Sequence, residues 1–432
     1  MASSRAPASS SLRRASTAYR SSLRRLVSFS RFGSKPGLSR INKLLSALGH
    51  PENNLKCVLV AGTNGKGSTT AMLAKILSAS DRKTGSYSSP SIFSFCERIQ
   101  IDGQMISKKD FAIRAQEVFS ILPALSGDHP TFFEVMTAMA LLHFKRCGVD
   151  YAVLEAGLGG RFDATNAVNP ELSIITSIGL EHADVLGKTT PAIAREKAGI
   201  MRAGKPVVCA VKDKAALDEI KKISKRLHSP FYFANANSAA GIAKKAGLPA
   251  FQLSNIAAAA KAAALLGVKP PIINRALSTF SMPARWQRMS SKPSVTIDCC
   301  HNPPAAKQIQ KDLEHDFAPS QLSPRVLLFS AMKDKDYAQV LSLLAPHFDR
   351  IIICRLPYAR AAKANDLKTA ASAAMRNSAK HIRPKNIAVI SNPDSALLKS
   401  KSIAGKRGRI LVCGSMYLLQ FLYGEREFRM TG

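Results

Sequence analysis

The stretch VLVAGTNGKGSTTAML, Val58–Leu73, decides the fold. It opens as a run of buried-strand residues and closes, from Ser68, as the start of a helix, with Gly62-Thr63-Asn64-Gly65-Lys66-Gly67 between. A strand that enters a helix through glycines and a lysine has the makings of a phosphate-binding loop. Glycines let backbone N–H groups face phosphate oxygens, the helix N-terminus adds positive potential, and Lys66 adds a full charge. The stretch misses the pattern G-x-x-x-x-G-K-[ST] twice: Val60 stands at the first glycine, and Gly67 separates Lys66 from Ser68. A plain glycine turn is the competing reading, but it requires neither three glycines with a lysine nor the Ser-Thr-Thr that follows.

Outward from this stretch, short apolar runs alternate with helical segments, the pattern of parallel sheets covered by helices. CVLVAG, DYAVLEAG, LSIITSIG and KPVVCAV form a first series of strands. SVTIDCC, RVLLFSAM, RIIICRL, NIAVI and RILVCG form a second, after the Pro-containing segment SMPARWQRM. The fold class is therefore α/β: an N-terminal P-loop-type doubly wound ATPase domain over residues 32–284, then a smaller Rossmann-like α/β domain over 285–432. Residues 1–31 are rich in Ser and Arg, and the first carboxylate of the chain is Glu52. That composition suits a disordered basic tail, an over-extended start, or a transit peptide, and the tail is the expectation.

With 432 residues, 46% of them hydrophobic, the chain can bury a large core. Its apolar runs are strand-sized, and Lys261 interrupts NIAAAAKAAALLGV, so none reaches the roughly 18 to 20 residues of a membrane span. A soluble protein is expected. Of eight cysteines, Cys57, Cys209, Cys354 and Cys413 fall inside strand-like runs, as core residues of a reducing compartment do. Cys299-Cys300-His301 lacks a second ligand pair at zinc spacing. The net charge of +33 admits a nucleic-acid partner or a polyanionic substrate, but the basic residues are spread along the chain and stacking aromatics do not accompany them.

Ligands of doubly wound sheets gather at the carboxyl ends of the strands. There Glu155 ends DYAVLE and leads into AGLGGRFDATN, and His182 follows LSIITSIG in GLEHADVLG. Each alone reads as structural; both facing one phosphate loop read as ligands of magnesium, which keeps few protein ligands and bridges phosphates. Thr131 and Glu134 have capping-box spacing, which favours helix closure over catalysis for Glu134. Thr190-Pro191 reads as an N-cap and first helical proline opening PAIAREKAGI, on which Lys197 by itself is a solvated helix residue.

The runs VAGTNGKGST, SYSSPSIFSFCERIQIDG, TFFEVMTAMALLHF, EAGLGGRFDATNAV, IGLEHADVLGKTTPAIAREKAGI, MPARWQRM, DCCHNPPA, MKDKD and VCGSMYL occur in this order from about residue 38 to the C-terminus. Together they resemble the successive motifs of the folylpolyglutamate synthase and dihydrofolate synthase family of Mur ligases, whose own phosphate loop carries the extra glycine. The resemblance implies that Thr63, Asn64, Gly65, Lys66, Gly67 and Ser68 hold ATP phosphates. It implies that Ser89, Glu155 and His182 surround Mg2+, and that Lys197 is carbamylated into an anionic metal-site group. It further implies that Asn255 and Arg285 contact nucleotide and that Asp298 and His301 complete the site from the second domain. The implied partners are ATP, L-glutamate and either dihydropteroate or a reduced folate, joined through an acyl phosphate by a cytoplasmic monomer, with the mitochondrion as the alternative address. Segment 85–103 and the loop after Gly160 are candidates for gripping the pterin and its benzoyl portion.

Departures fall on the substrate and adenine sides: SPH is Ser89-Pro90-Ser91, HQ is Phe251-Gln252, PGR-x-E is Pro283-Ala284-Arg285-Trp286-Gln287, and DGAH is Asp298-Cys299-Cys300-His301. The rival functions are another Mur-type carboxylate-amine ligase and, from a different class, a basic nucleic-acid-binding protein on an inactive ligase scaffold.

Overall fold

The computed structural model describes residues 8–33, 36–124, 129–316, 324–376 and 386–425. The chain forms two compact units. The first comprises residues 1–91, 95–248 and 252–280; the second takes 281–432 with the short segments 92–94 and 249–251. A boundary at 284/285 does not anticipate those two inserted segments.

The first unit is built on eight strands: β1 (Lys56–Ala61), β2 (Thr84–Tyr87), β3 (Ile99–Ile101), β4 (Gln104–Met105), β5 (Tyr151–Glu155), β6 (Pro170–Ile175), β7 (Val207–Cys209) and β8 (Phe231–Phe233). Their order is β4-β3-β2-β5-β1-β6-β7-β8. β1 runs parallel between β5 and β6, with Val58 opposite Val153 on one side and Leu172 on the other. Because both faces of β1 are covered, Cys57 to Ala61 are all fully buried, and the sequence there is continuously apolar instead of alternating. β3 and β4 are an antiparallel addition at one edge, turned by Asp102 and Gly103, both at positive φ.

The segment expected to be a disordered tail is instead an α-helix over Ala8–Ser28; residues 1–7 lie outside the described ones. Tyr19, Leu23 and Leu26 share one face of this helix and are buried. Tyr19 meets Phe111 edge-on at 5.2 Å, Arg25 lies 4.4 Å over Phe119, and Phe29 just beyond the helix stacks on Phe119 at 6.1 Å. Burial of these rings, at about 2 to 3 kcal/mol each, outweighs the polar composition around them.

Helix Phe132–Cys147 starts with the capping box expected at Thr131 and Glu134, both hydrogen bonds being made, and ends at Gly148 in the left-handed region. Glu134 also takes the Arg40 guanidinium at 3.1 Å, a structural assignment in every contact. Helix Thr190–Ala198 is capped by Thr189 and not by Thr190, which is its first helical residue and donates its hydroxyl to Asp213 at 2.9 Å.

The second unit has six strands, β9 (Gln287–Ser291), β10 (Ser294–Ile297), β11 (Arg325–Phe329), β12 (Arg350–Cys354), β13 (Ile387–Ile390) and β14 (Arg409–Cys413), in the order β13-β12-β11-β14-β10-β9. All neighbours are parallel except β9 with β10. Helices Pro303–Asp316, Tyr337–Leu344 and Ala364–Arg376 share one buried cluster around Phe329, Leu344 and Phe348. Helices Pro393–Ala404 and Met416–Tyr423 share another with Val295, Leu328 and Val412. Among the described residues no helix is long and apolar enough to cross a membrane.

Candidate active site

Strand order brings the candidate residues of the first unit together. β2, β5, β1 and β6 are adjacent and parallel, so the loops after them leave the same edge of the sheet. Ser89 lies in the loop after β2, Glu155 is the last residue of β5, Thr63 to Gly65 form the loop after β1 with Lys66 opening the next helix, and His182 lies in the loop after β6.

In the loop after β1, Gly62 has φ 156 and Gly65 has φ 85. A Cβ on Gly62 would lie 1.9 Å from the Thr176 hydroxyl, and one on Gly65 would lie 2.1 Å from Asn255 Oδ1, so neither position has room for a side chain. The loop is tied to the one after β6. The Thr63 amide donates to the Ser177 carbonyl at 2.8 Å, the Gly179 amide donates to Thr63 Oγ1 at 3.0 Å, and the Asn64 amide donates to Ser177 Oγ at 2.9 Å. Thr176 and Ser177 hydroxyls in turn donate to the Asn64 carbonyl at 2.7 and 2.9 Å. Helix Lys66–Ser78 starts directly after Gly65, which provides no capping side chain. The first-turn amides of Lys66, Gly67 and Ser68 are thereby left for an anion. Gln252 donates to Ser68 Oγ at 3.4 Å and accepts from Asn255 Nδ2 at 2.7 Å, which puts Asn255 beside the loop.

On the other side of β1, the buried Glu155 carboxylate accepts the Ser89 amide at 2.9 Å. This joins two of the three expected magnesium ligands. His182, in the left-handed region at φ 51, is more exposed and lies 3.7 Å from Glu181. The buried Glu155 carboxylate with Ser89 beside it suits a hard divalent ion that keeps several waters, as magnesium does; His182 lies on the loop after β6 at the same sheet edge, and among the described residues no three His, Cys, Asp or Glu side chains cluster.

Lys197 is not solvated: it is 4% exposed, and its ammonium donates to the Gly62 carbonyl at 2.8 Å. Lys66 donates to the same carbonyl at 3.0 Å and to that of Thr63 at 3.2 Å. Burial, and then the charge of Lys66, push the Lys197 amine down to about 7, with Glu181 and Asp163 acting in the opposite direction. An amine with its pKa near 7 is about half unprotonated at neutral pH, and the unprotonated fraction is the nucleophile that carbamylation requires. Asp163 orders the glycine loop between Glu155 and Lys197, accepting the Leu158 amide at 2.9 Å and the Thr165 amide at 3.0 Å.

In the second unit Asp298 follows β10 and is buried, accepting the Trp286 and Cys300 amides at 2.8 Å each. Burial raises its carboxyl pKa, while the Arg285 charge and those two amides pull it back. His301 Nδ1 lies 2.8 Å from the Cys299 carbonyl. Arg285 is carried between Ala284 and Trp286, both in the left-handed region, so the backbone there takes a conformation usual for glycine without having one.

Gln252, Thr176, Ser177, Gly179 and Asp163 stand around these loops without having been singled out as site residues by the sequence. Thr176-Ser177 immediately after the apolar run LSII was the available signal, since hydroxyls at a strand end next to a phosphate loop have carbonyls to satisfy.

Residues 60–260 match the Mur ligase middle domain, and residues 284–416 match the glutamate ligase domain of Mur ligases. The dihydrofolate synthase/folylpolyglutamate synthase of Bacillus subtilis is 32% identical over 422 residues, covering 90% of this chain and 94% of the relative. The E. coli FolC structure in complex with DHPP and ADP superposes with a TM-score of 0.79 at 28% identity, covering 92% of this chain and 96% of that one. The bifunctional folylpolyglutamate synthase/dihydrofolate synthase of Yersinia pestis, complexed with AMPPNP and Mn ion, gives a TM-score of 0.75 at 30% identity, covering 90% and 93%.

Proposed function

We infer the activity from one premise, that the chain belongs to the Mur ligase family and to its dihydrofolate synthase/folylpolyglutamate synthase branch. The protein is an ATP-dependent amide ligase that adds L-glutamate to dihydropteroate, to a reduced folate, or to both. A substrate carboxylate takes the γ-phosphoryl group of ATP to give an acyl phosphate and ADP; the glutamate amine then displaces phosphate and forms the amide. The observation that carries this function is the convergence of Lys66 and Lys197 on the Gly62 carbonyl, at the same sheet edge as the Ser89–Glu155 pair, a grouping of charge that suits a polyanion and its counter-ion.

Thr63, Asn64, Gly65, Lys66, Gly67 and Ser68 hold the phosphates, the amides by direction and Lys66 by charge, so that negative charge moving between oxygens stays neutralised. Ser89, Glu155 and His182 would hold magnesium, which when bound offsets the charge of the phosphates. Asn255 and Arg285 serve the nucleotide. Asp298 and His301 serve the acceptor and amine: when Nδ1–H of His301 is donated to the Cys299 carbonyl, Nε2 carries the lone pair that a proton acceptor needs. The free cysteines, most of them buried, suit a reducing compartment, the cytoplasm or, as the alternative, the mitochondrial interior. A monomer is expected.

The test is magnesium-dependent ADP release with ATP and glutamate, with 7,8-dihydropteroate in one reaction and tetrahydrofolate in another. Release that disappears in Lys66→Ala and Glu155→Ala supports the ligase and identifies its acceptor; silence with both acceptors, ATP still bound, points to a different acid substrate.

A further inference from the structure

Helix Thr190–Ala198 has only nine residues, too few to be stable by itself, and Lys197 sits in its last turn. Such a terminus leaves carbonyls without helical partners. Here the Lys197 and Ala198 carbonyls accept the Ile200 and Met201 amides at 3.4 and 3.0 Å, while the Glu196 carbonyl and the three carbonyls just past the helix are met by side chains or by the facing loop. The Glu196 carbonyl accepts the Arg161 amide at 2.8 Å, and the Ile200 carbonyl accepts the β6 hydroxyl of Ser173 at 2.9 Å. The Gly199 carbonyl accepts Asn166 Nδ2 at 3.1 Å and Arg202 Nη1 at 3.4 Å, and the Met201 carbonyl accepts Arg202 Nη1 at 3.2 Å.

The same two side chains hold the facing loop. Arg202 Nη2 donates to the Asn166 carbonyl at 3.0 Å, to Asn166 Oδ1 at 2.9 Å and to the Val168 carbonyl at 3.0 Å. Asn166 Nδ2 also donates to the Arg161 carbonyl at 2.9 Å. Between them the two backbones touch: a Cβ on Gly160 would lie 2.8 Å from the Lys197 carbonyl, and one on Gly199 would lie 2.4 Å from Arg161 Cβ. Glycines permit the contact, and across it the Arg161 and Glu196 side chains approach only to 4.0 Å with Arg161 exposed, a weak hold.

We propose that Arg202 and Asn166 form a positioning lock, away from the reacting groups, that fixes the lysine-bearing end of helix Thr190–Ala198 against the loop that begins at Glu155. The lock sets the distance between Glu155 and Lys197 and keeps Lys197 over the phosphate loop. Its effect on turnover rests on the ligase function proposed above; its effect on the two segments does not. Arg202, through Nη1 and Nη2 held in one plane, and the Asn166 amide each serve carbonyls on both segments, a geometry that a single rotating ammonium does not fix. Misplacement of a catalytic group by a fraction of an ångström lowers turnover more than substrate binding.

Arg202→Met and Asn166→Ala are compared with Arg202→Lys and with Ser224→Ala, which removes a buried hydrogen bond to Ser229 elsewhere in the same unit. The expected result is a fall in kcat of at least tenfold with KM for ATP within threefold, and faster amide hydrogen exchange in both 155–168 and 190–201. Arg202→Lys, keeping the charge and fewer donors, recovers part of kcat, and Ser224→Ala changes neither quantity. Wild-type kcat and exchange in both Arg202→Met and Asn166→Ala would overturn the lock, as would an equal loss in Ser224→Ala. If the wild-type protein releases no ADP with either acceptor, the ligase function fails, and hydrogen exchange alone decides the lock.

Discussion

Replacing Lys197 with Met should make the protein inactive and more stable, by an amount that depends on pH. In the folded protein burial and Lys66 bring the amine from 10.5 to about 7, so the unfolded chain binds the additional proton throughout the interval between those values. Wild-type stability therefore rises with pH across that interval. The cost of burying the ammonium is complete below pH 7 and vanishes only near pH 10.5. Linkage puts this cost at about 4 kcal/mol at pH 7 and about 2 kcal/mol at pH 9. Methionine fills a similar volume, and the Gly62 carbonyl keeps Lys66 as a donor, so the lost hydrogen bond costs only about 1 kcal/mol. The net gain is about 3 kcal/mol at pH 7 and about 1 kcal/mol at pH 9, or roughly 6 °C falling to 2 °C in Tm at about 2 °C per kcal/mol for a unit of this size. The assay is thermal unfolding of both proteins from pH 6.5 to 9.5 in bicarbonate-depleted buffer, because carbamylation would turn the amine into an anion. A difference in Tm that stays flat with pH, or a Met variant less stable at pH 7, would refute the buried free amine.

Gly62→Ala should lower ATP-analogue affinity and ADP release by about a hundredfold or more, since its methyl has only the space already held by the Thr176 hydroxyl; calorimetric titration measures this. Tyr19→Ala should cost about 3 to 5 kcal/mol, read as a Tm lower by roughly 6 to 10 °C, whereas a disordered tail would leave Tm unchanged. Thr131→Ala should cost about 1 kcal/mol, and Glu134→Gln should leave kcat within about twofold, because Glu134 is occupied by the Thr131 amide and Arg40; chemical denaturation and steady-state kinetics check the pair.

The strands legible in the sequence are those buried on both faces, such as β1, β5, β11 and β14, whose apolar runs have no competing explanation. The strands that escaped have specific reasons. β2 reads TGSY because Gly85 faces the Phe144 ring so closely that a Cβ would come within 2.6 Å, which removes the apolar signal from one face. β9 is an antiparallel edge strand with polar composition. The β3–β4 hairpin did leave a signal: Asp102-Gly103 after Ile-Gln-Ile is a two-residue turn sequence flanked by alternation. In the N-terminal segment, Tyr19, Leu23 and Leu26 recur at helical spacing, but they are diluted by serines and arginines, so an average over composition hides what periodicity shows.

Lys197 marks where local reading of the site stops. Arg195 and Glu196 beside it give the helix a charged appearance, and nothing within ten residues predicts burial. Its environment is made by Gly62, 135 residues away, and by a glycine loop that leaves no room for side chains between itself and the helix end. Collinear motifs supplied its identity; only the fold supplies the reason for its chemistry. An ammonium taken from water and placed beside Lys66 is unfavourable to the folded state, and the surrounding carbonyls do not fully compensate. That unfavourable term brings the amine's pKa to about 7, so that a substantial fraction is unprotonated near neutral pH and able to react. The phosphate loop, by contrast, was readable in Val58–Leu73 because its function needs only backbone direction and one charge, both encoded within a few consecutive residues. Local groups are legible where the chemistry is local, and the lysine is legible only through the contacts that make it costly.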